Sequence, residues 1–305
     1  MKVVVFGGNG FIGSHIVDCL LNEGHTVRVF DRFAERYRKP LHGVEYLFGR
    51  FDNSIDVSEA LRNVDAVCHL ICSSVPGTSN ASLVSDIECN LINTVQLLEK
   101  MREKEVYRIL YLSSGGAVYG EPKSLPVTEG EALNPISSYG IMKLTVEKYL
   151  LLYQKIYDFQ PIIIRPSNVY GSRQSHCGVQ GLIGTLLTRL LEGKEMEIWG
   201  DGSTVRDFLH VKDLARLCAK SLSSNVSGVF NAGSGNGYSI HDIIDITSKL
   251  AGRKVRVIYG EKRLVDVKEI VLDSSRAKKY LDWEYKISLS EGIKEHLSWA
   301  LCQKT

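Results

Sequence analysis

A lysine four positions after a tyrosine can place an ammonium beside a phenol, and "SSYGIMK" offers that spacing at Tyr139 and Lys143. On a helix, one turn brings residue i over residue i+4. A phenol has an ordinary pKa of about 10, and a cation within ~4 to 6 Å favours its phenolate, so a helical pair would give a base usable near neutral pH. Spacing alone does not decide the matter. With 14 tyrosines, a second Tyr-x-x-x-Lys arises by chance, Tyr119 to Lys123 in "YGEPK". There Pro122 removes a backbone donor and biases Glu121 away from helix, so those two side chains are not expected to share a face. After "NPISS", by contrast, "YGIMKLTVEKYLLLYQKIY" has no proline and is rich in helix formers, with Ile141, Leu144, Tyr149, Leu151 and Leu152 available for burial. Tyr139 and Lys143 are expected to meet near the N-terminus of that helix.

A second constellation lies at the start of the chain. The strand-like "KVVVF" runs into "GGNGFIG", with Gly7, Gly10 and Gly13, and then into the helical "SHIVDCLLNEG". Glycines there permit a tight turn and the close approach of a pyrophosphate to backbone amides at a positive helix end. A glycine cluster alone is weak, but this one sits between a strand and a helix, and "VRVFDR" puts Asp31 at the end of the next strand-like run. That carboxylate can accept from both ribose hydroxyls and repels a 2′-phosphate, which favours NAD over NADP; Arg32 beside it leaves NADP open.

The elements that must carry these groups alternate. "KVVVF", "TVRVF", "VEYLF", "DAVCHLI", "YRILYLSS" and "QPIIIRP" have the continuous hydrophobicity of strands covered on both faces, with helical patterns between most of them. This predicts an α/β fold, a Rossmann-type doubly wound parallel sheet over residues 1–171, with ligands at the strand ends. Beyond Gly171 the rhythm loosens into a glycine-containing connection (171–181), a helix "LIGTLLTRLLEG", shorter pieces and a helical tail. A smaller α/β substrate-binding domain is expected over 172–305, interleaved so that parts of 208–231 complete the first sheet.

The 305 residues are 24% charged and 44% hydrophobic with a net charge of +2, an ordinary globular balance that points to neither nucleic acid nor an anionic membrane as partner. The N-terminal apolar run breaks at glycines and lacks a signal-peptide cleavage pattern, and no segment approaches the roughly 18 apolar residues of a membrane span. The seven cysteines (19, 68, 72, 89, 177, 218 and 302) contain no Cys-x-x-Cys, and the eight histidines no His-x-x-x-His. Reduced thiols, a cytoplasmic location and no metal are therefore expected.

The glycines at 7, 10 and 13, the Tyr139/Lys143 pair and "RPSNVYGSRQ" together resemble the extended short-chain dehydrogenase/reductase superfamily. Within it the chain looks most like the NAD-dependent nucleotide-sugar epimerases and dehydratases of the UDP-glucose/UDP-N-acetylglucosamine 4-epimerase type. The motifs appear in order over nearly the whole chain. The resemblance implies NAD as cofactor and a UDP-sugar as substrate. It places Phe11 and Ile12 in the phosphate-binding turn and Asn90 of "ECNLINT" along the cofactor. It makes Tyr139 the acid/base and Lys143 the residue that binds the nicotinamide ribose and lowers the tyrosine pKa. Asn168 would contact the diphosphate, and in "EIWGDGSTVRDFLHVKD" Trp199 would lie near the uracil and Arg206 on the diphosphate. In "KRLVDVKEIVLD", Arg263 would hold phosphate and Asp266 the nucleotide ribose. Two arginines suit a diphosphate because each can clamp it bidentately. Ile270 falls where a bulky tyrosine in some relatives narrows the pocket by the sugar 2-substituent; the smaller side chain implies that UDP-GlcNAc/UDP-GalNAc is handled, alone or alongside UDP-Glc/UDP-Gal.

Two positions depart from that pattern. Ahead of its "VYG" the family usually has a Ser or Thr that bonds the reacting sugar hydroxyl; in "SSGGAVYG" that place is Gly115, with Ser114 one residue earlier as the candidate to serve instead. In "FGRFD", Arg50 stands where an aspartate often meets the adenine, leaving Asp52 or a backbone group near Phe51 for that contact. Sugar dehydratases of the superfamily carry a carboxylate beside the Ser/Thr, and "SGG" has none. That leaves reversible oxidation at sugar C4 through a 4-keto intermediate, with a 4-ketoreductase or a UDP-glucuronate 4-epimerase still open. The retained Tyr/Lys pair argues against a non-catalytic NAD-binding sensor. The resemblance also implies a homodimer joined through the helices at 83–101 and 138–157, and a use in supplying sugars for surface polysaccharide.

Overall fold

A computed structural model describes residues 1–74, 79–174, 181–261 and 267–303. The first half alternates as the hydrophobic runs require: β1 (Lys2–Phe6), α1 (Phe11–Asn22), β2 (Thr26–Asp31), β3 (Val44–Phe48), α2 (Ser54–Ala60) and β4 (Ala66–His69). A helical stretch follows, α3 (Leu83–Asp86), a π-helical turn Ile87–Ile92 and α4 (Asn93–Glu103), then β5 (Arg108–Leu112), α5 (Gly115–Val118), α6 (Ser138–Tyr157) and β6 (Gln160–Pro166). The second half holds β7 (Asn168–Tyr170), α7 (Leu182–Glu192), β8 (Met196–Trp199), β9 (Val205–His210), α8 (Val211–Ser223) and β10 (Gly228–Ala232). It continues through β11 (Gly237–Ser239), α9 (Ile240–Ala251), β12 (Val257–Gly260), β13 (Glu269–Ile270), α10 (Ser275–Leu281) and α11 (Leu289–Cys302).

Seven parallel strands form the main sheet in the order β10-β6-β5-β4-β1-β2-β3. Each strand carries apolar side chains on both faces because helices cover both. Val3 and Val5 of β1 pack with Ile16 and Leu20 of α1 and Leu214 and Leu217 of α8. The alternate residues Val4 and Phe6 pack on the other side, in the cluster that holds Leu97 and Leu98 of α4 and Val146 and Leu150 of α6. Strand order reverses between β1 and β4, which opens a crevice at the carboxyl ends of the strands, the place where such sheets bind ligands. The chain is thus a Rossmann-type doubly wound fold with a smaller α/β part beside it. In that part β11, β9 and β13 form one sheet, with β7 paired to β9, and β12 pairs with β8. Of the stretch 208–231, Gly228–Ala232 supplies the seventh strand of the main sheet, whereas 208–210 belongs to β9 of the second. No helix among the described residues is long and apolar enough to cross a membrane.

Candidate active site

At the crevice, Gly7 adopts φ +86° and donates its amide to Phe30 O at 2.8 Å, turning the chain off β1. Gly13 is where α1 comes down on that turn. A Cβ at Gly13 would stand 2.1 Å from Gly7 O and 2.8 Å from Gly8 Cα, both backbone atoms that cannot swing aside. Gly10 caps α1 without any side-chain hydrogen bond, so the first-turn amides, those of Phe11 and Ile12 among them, are not taken by a capping side chain. Asp31 ends β2 beside them, its Oδ2 accepting from Asn9 N and its Oδ1 from Phe33 N, each at 3.1 Å. Arg32 stacks over the Phe33 ring at 4.6 Å. A glycine cradle, open amides at a positive helix end and an oriented carboxylate on the neighbouring strand fit a dinucleotide such as NAD. Arg50 is engaged by Asp52 through two hydrogen bonds, of 2.9 and 2.6 Å.

Asn90 lies in the π-helical turn and is buried. Its Oδ1 accepts from Ser73 N at 2.8 Å, and its Nδ2 donates to Asp86 Oδ1 at 2.7 Å. The other Asp86 oxygen accepts from Ser138 Oγ at 2.6 Å, so Asn90 ties the loop after β4 to the first residue of α6. A π-turn places the side chain where a regular helix would not, which is a common device beside functional sites.

Helix α6 starts at Ser138, capped by the Ser137 hydroxyl, which accepts from Gly140 N at 3.2 Å. Tyr139 and Lys143 occupy its first two turns. The Lys143 ammonium donates to Leu112 O at 2.8 Å and stands 4.8 Å from the Tyr111 ring and 5.6 Å from the Tyr139 ring. The Ser114 hydroxyl lies beside the Tyr139 phenol. Burial pushes the phenol pKa upward, the nearby Cys72 and Asp86 add to the rise, and the Ser114 hydroxyl opposes it. In the chain alone, desolvation therefore outweighs the activating effect that the Tyr/Lys spacing predicts. The competing pair does not form: Tyr119 is buried at the end of α5 and donates to Asn231 Oδ1 at 2.7 Å.

The residues expected on the substrate side come from the second half. Asn168, on β7, sits against the turn of α5, its Oδ1 3.5 Å from where a Gly116 Cβ would be. Trp199 ends β8, 41% exposed. Arg206, on β9, donates to Val205 O at 2.8 Å, and next to it Gly200, Asp201, Ser203, Thr204 and Lys268 line a cavity of about 270 Å³. Ile270 pairs with Arg206 across β13 and β9 and is 3% exposed, in a cluster with Val118, Tyr119, Val127, Val267 and Leu272. Arg263 and Asp266 lie outside the described residues.

The comparisons with known proteins agree with this geometry. A family model described as the NAD dependent epimerase/dehydratase family matches residues 3–233. The chain belongs to that family. A relative from Methanocaldococcus jannaschii named putative UDP-glucose 4-epimerase is 35% identical over 299 residues, 97% of either chain. The solved UDP-glucose 4-epimerase of Thermotoga maritima, with UDP-glucose, has a TM-score of 0.95 at 32% identity, covering 100% of both chains. The UDP-N-acetylglucosamine 4-epimerase of Methanobrevibacter ruminantium M1, in complex with UDP-N-acetylmuramic acid, has a TM-score of 0.92 at 27% identity, covering 99% of this chain and 98% of its own.

Against the family pattern, the glycine at 115 has a packing cause. A Cβ there would fall 2.5 Å from Leu272 Cδ1 and 3.1 Å from Arg165 O. Leu272 is fully buried and fills the space a hydroxyl side chain would need. Gly115→Ser is therefore expected to lower stability by about 1–3 kcal/mol in denaturant melts, through overpacking, and to leave kcat no higher than wild type. Sequence reasoning missed the groups behind the tyrosine: Ser113, Glu147 and Arg165, all buried. The spacing Tyr139, Lys143, Glu147 was a readable signal, one residue per turn on one helix face. Arg165 carries no such signal, because the fold alone brings it there.

Proposed function

We propose that this chain catalyses NAD-dependent C4 epimerisation of a UDP-sugar, with Tyr139 as the acid/base. The observation that carries the reading is the Lys143 ammonium, held on Leu112 O and 5.6 Å from the Tyr139 ring, at the carboxyl edge of β5 beside the glycine cradle. Gly7, Gly10, Phe11, Ile12, Gly13 and Asp31 would hold the NAD, with Lys143 at its nicotinamide ribose. When bound, NAD supplies a hydride acceptor that is also the donor for the return, so net redox is zero. Tyr139 as phenolate takes the C4 hydroxyl proton and later returns it. Ser114, beside Tyr139, orients that hydroxyl in the place of the residue missing at 115. Asn168 and Arg206 would hold the diphosphate and Trp199 lie near the uracil, with Arg263 and Asp266, outside the described residues, expected on phosphate and ribose; the sugar turns about this anchor, which must be firmer at the uridine end than at the sugar.

Support for the sugar class comes from the relatives, which include epimerases of UDP-glucose and of UDP-N-acetylglucosamine. Ile270 is buried in an apolar cluster, so support for the N-acetylated pair rests on the UDP-N-acetylglucosamine 4-epimerase relative. A homodimer is supported by exposed apolar side chains on the outer faces of two helical segments: Leu83, Val84, Ile87 and Ile92 on one, Ile141, Leu152 and Ile156 on the other. The test is incubation of the purified protein, without added cofactor, with UDP-GlcNAc, UDP-Glc and UDP-GlcA separately, followed by proton NMR. The C4 epimer of UDP-GlcNAc or UDP-Glc is expected. Turnover only with added NAD(P)H and a 4-keto sugar would make the chain a reductase; turnover of UDP-GlcA alone would move the substrate to a uronic acid.

A further inference from the structure

Behind the catalytic pair lies a buried ion pair that the proposed chemistry does not use. Glu147 is 1% and Arg165 3% exposed, and their contact is bidentate: Arg165 Nε lies 3.0 Å from Oε1 and Nη2 2.6 Å from Oε2. Glu147 follows Lys143 by one turn of α6, as Lys143 follows Tyr139. Two consecutive residues at the end of β5 meet the last two of these turns: Leu112 O accepts from Lys143, and Ser113 Oγ donates to Glu147.

A lysine and a glutamate four apart on one helix attract each other, and the attraction grows in a buried, low-dielectric setting. Among the described residues, however, the ion pair of Glu147 is with Arg165, and Lys143 bonds a carbonyl. The guanidinium is itself pinned. Its Nη1 donates to Tyr119 OH at 2.9 Å, Tyr119 donates to Asn231, and Asn231 Nδ2 donates to Val127 O at 2.9 Å.

We infer that Arg165 is a positioning residue for proton transfer: by occupying both oxygens of Glu147 it keeps the Lys143 ammonium on the Leu112 carbonyl, beside Tyr139, instead of paired with its helix neighbour. The inference rests on Tyr139 being the acid/base. Without the guanidinium, Glu147 is a buried, uncompensated charge, a costly state whose nearest relief is Lys143. The cation is then neutralised, the phenolate loses its support and the phenol pKa rises. The other titratable groups around Tyr139 and Lys143 stay in place: Cys72 and His69 from β4 and the loop after it, Asp86 from α3, and Tyr111 from β5.

The test compares Arg165→Met, Glu147→Gln and the double variant as holoenzymes. One readout is the pH dependence of kcat. The other is the near-ultraviolet phenolate absorbance of each protein minus its Tyr139→Phe counterpart, which needs no turnover and so decides this point even if epimerisation fails. In Arg165→Met both midpoints are expected to move up by about one pH unit, since a single nearby cation accounts for a shift of that order. The double variant, with no carboxylate to divert Lys143, is expected to return to the wild-type midpoint, and Glu147→Gln to stay there. A purely structural role would lower melting temperature in all three and move no midpoint. An unmoved midpoint in Arg165→Met, or one still raised in the double variant, overturns the inference. Should Arg165→Met fail to fold, Arg165→Lys, which keeps the charge but loses the fork, is expected to move the midpoint in the same direction by less, and an unmoved midpoint there is equally fatal.

Discussion

Tyr139→Phe is expected to lower the rate of epimerisation by about 10² to 10⁴-fold, the range that a single positioned acid/base contributes. The substitution removes one oxygen and leaves the ring, so the packing beside Tyr111 and Lys143 is kept. The loss should fall on kcat, with the KM for the UDP-sugar little changed, because in the proposed mechanism the phenol acts on the reacting hydroxyl and the uridine end is held elsewhere. The sign of the pH effect follows from the chemistry. The working form is the phenolate, so wild-type kcat rises with pH through the apparent pKa of Tyr139, and the Phe variant lacks that limb. Steady-state kinetics of the holoenzyme, in which the cationic nicotinamide opposes the rise that burial gives the phenol, would show it between about pH 6 and 10. A variant that keeps the limb would show that another group carries the proton.

Gly13→Ala is expected to yield protein with at least about tenfold less retained NAD, because 1.4 kcal/mol of strain at the phosphate turn is a factor of ten in a binding constant. The strain is concrete. The new methyl would stand 2.1 Å from the Gly7 carbonyl oxygen, so either α1 lifts or the turn opens, and each displaces the amides that face the pyrophosphate. The loss should appear as dependence on added NAD in the epimerase assay and as a lower cofactor absorbance in the purified protein. Full occupancy in the variant would show that the turn tolerates the shift.

Most of the fold could be read in advance because its signals are local. Runs such as "KVVVF" and "QPIIIRP" are hydrophobic without alternation, and only a strand covered on both faces asks for that. The glycine turn and the helix bearing Tyr139 were equally local. What escaped depends on residues distant in sequence. Nothing in the sequence around Gly115 reveals that Leu272 fills the space above it. Arg165 reads as the start of a motif and becomes the partner of Glu147 only once β6 lies beside α6. The same holds for Ile270: the resemblance points it at the sugar, whereas its packing with Val118 and Leu272 emerges from the fold. Asn90 was found by its motif, but its bonds to Ser73 and Asp86 depend on a π-turn that propensities do not foresee.

The seventh strand of the main sheet bears on how the chain is made. β10 pairs with β6 and comes from Gly228–Ala232, after β7, α7, β8, β9 and α8 have been laid down in the neighbouring part. During synthesis β6 therefore waits as an open edge, with Ile162, Ile163 and Ile164 in a row and their backbone groups unpaired on one side. An apolar edge of that kind is a template for pairing with other chains. The two halves consequently cannot mature one after the other: the cofactor-binding sheet is closed by a strand that follows much of the second half, so a nascent chain stopped before residue 228 carries a sticky, unfinished sheet.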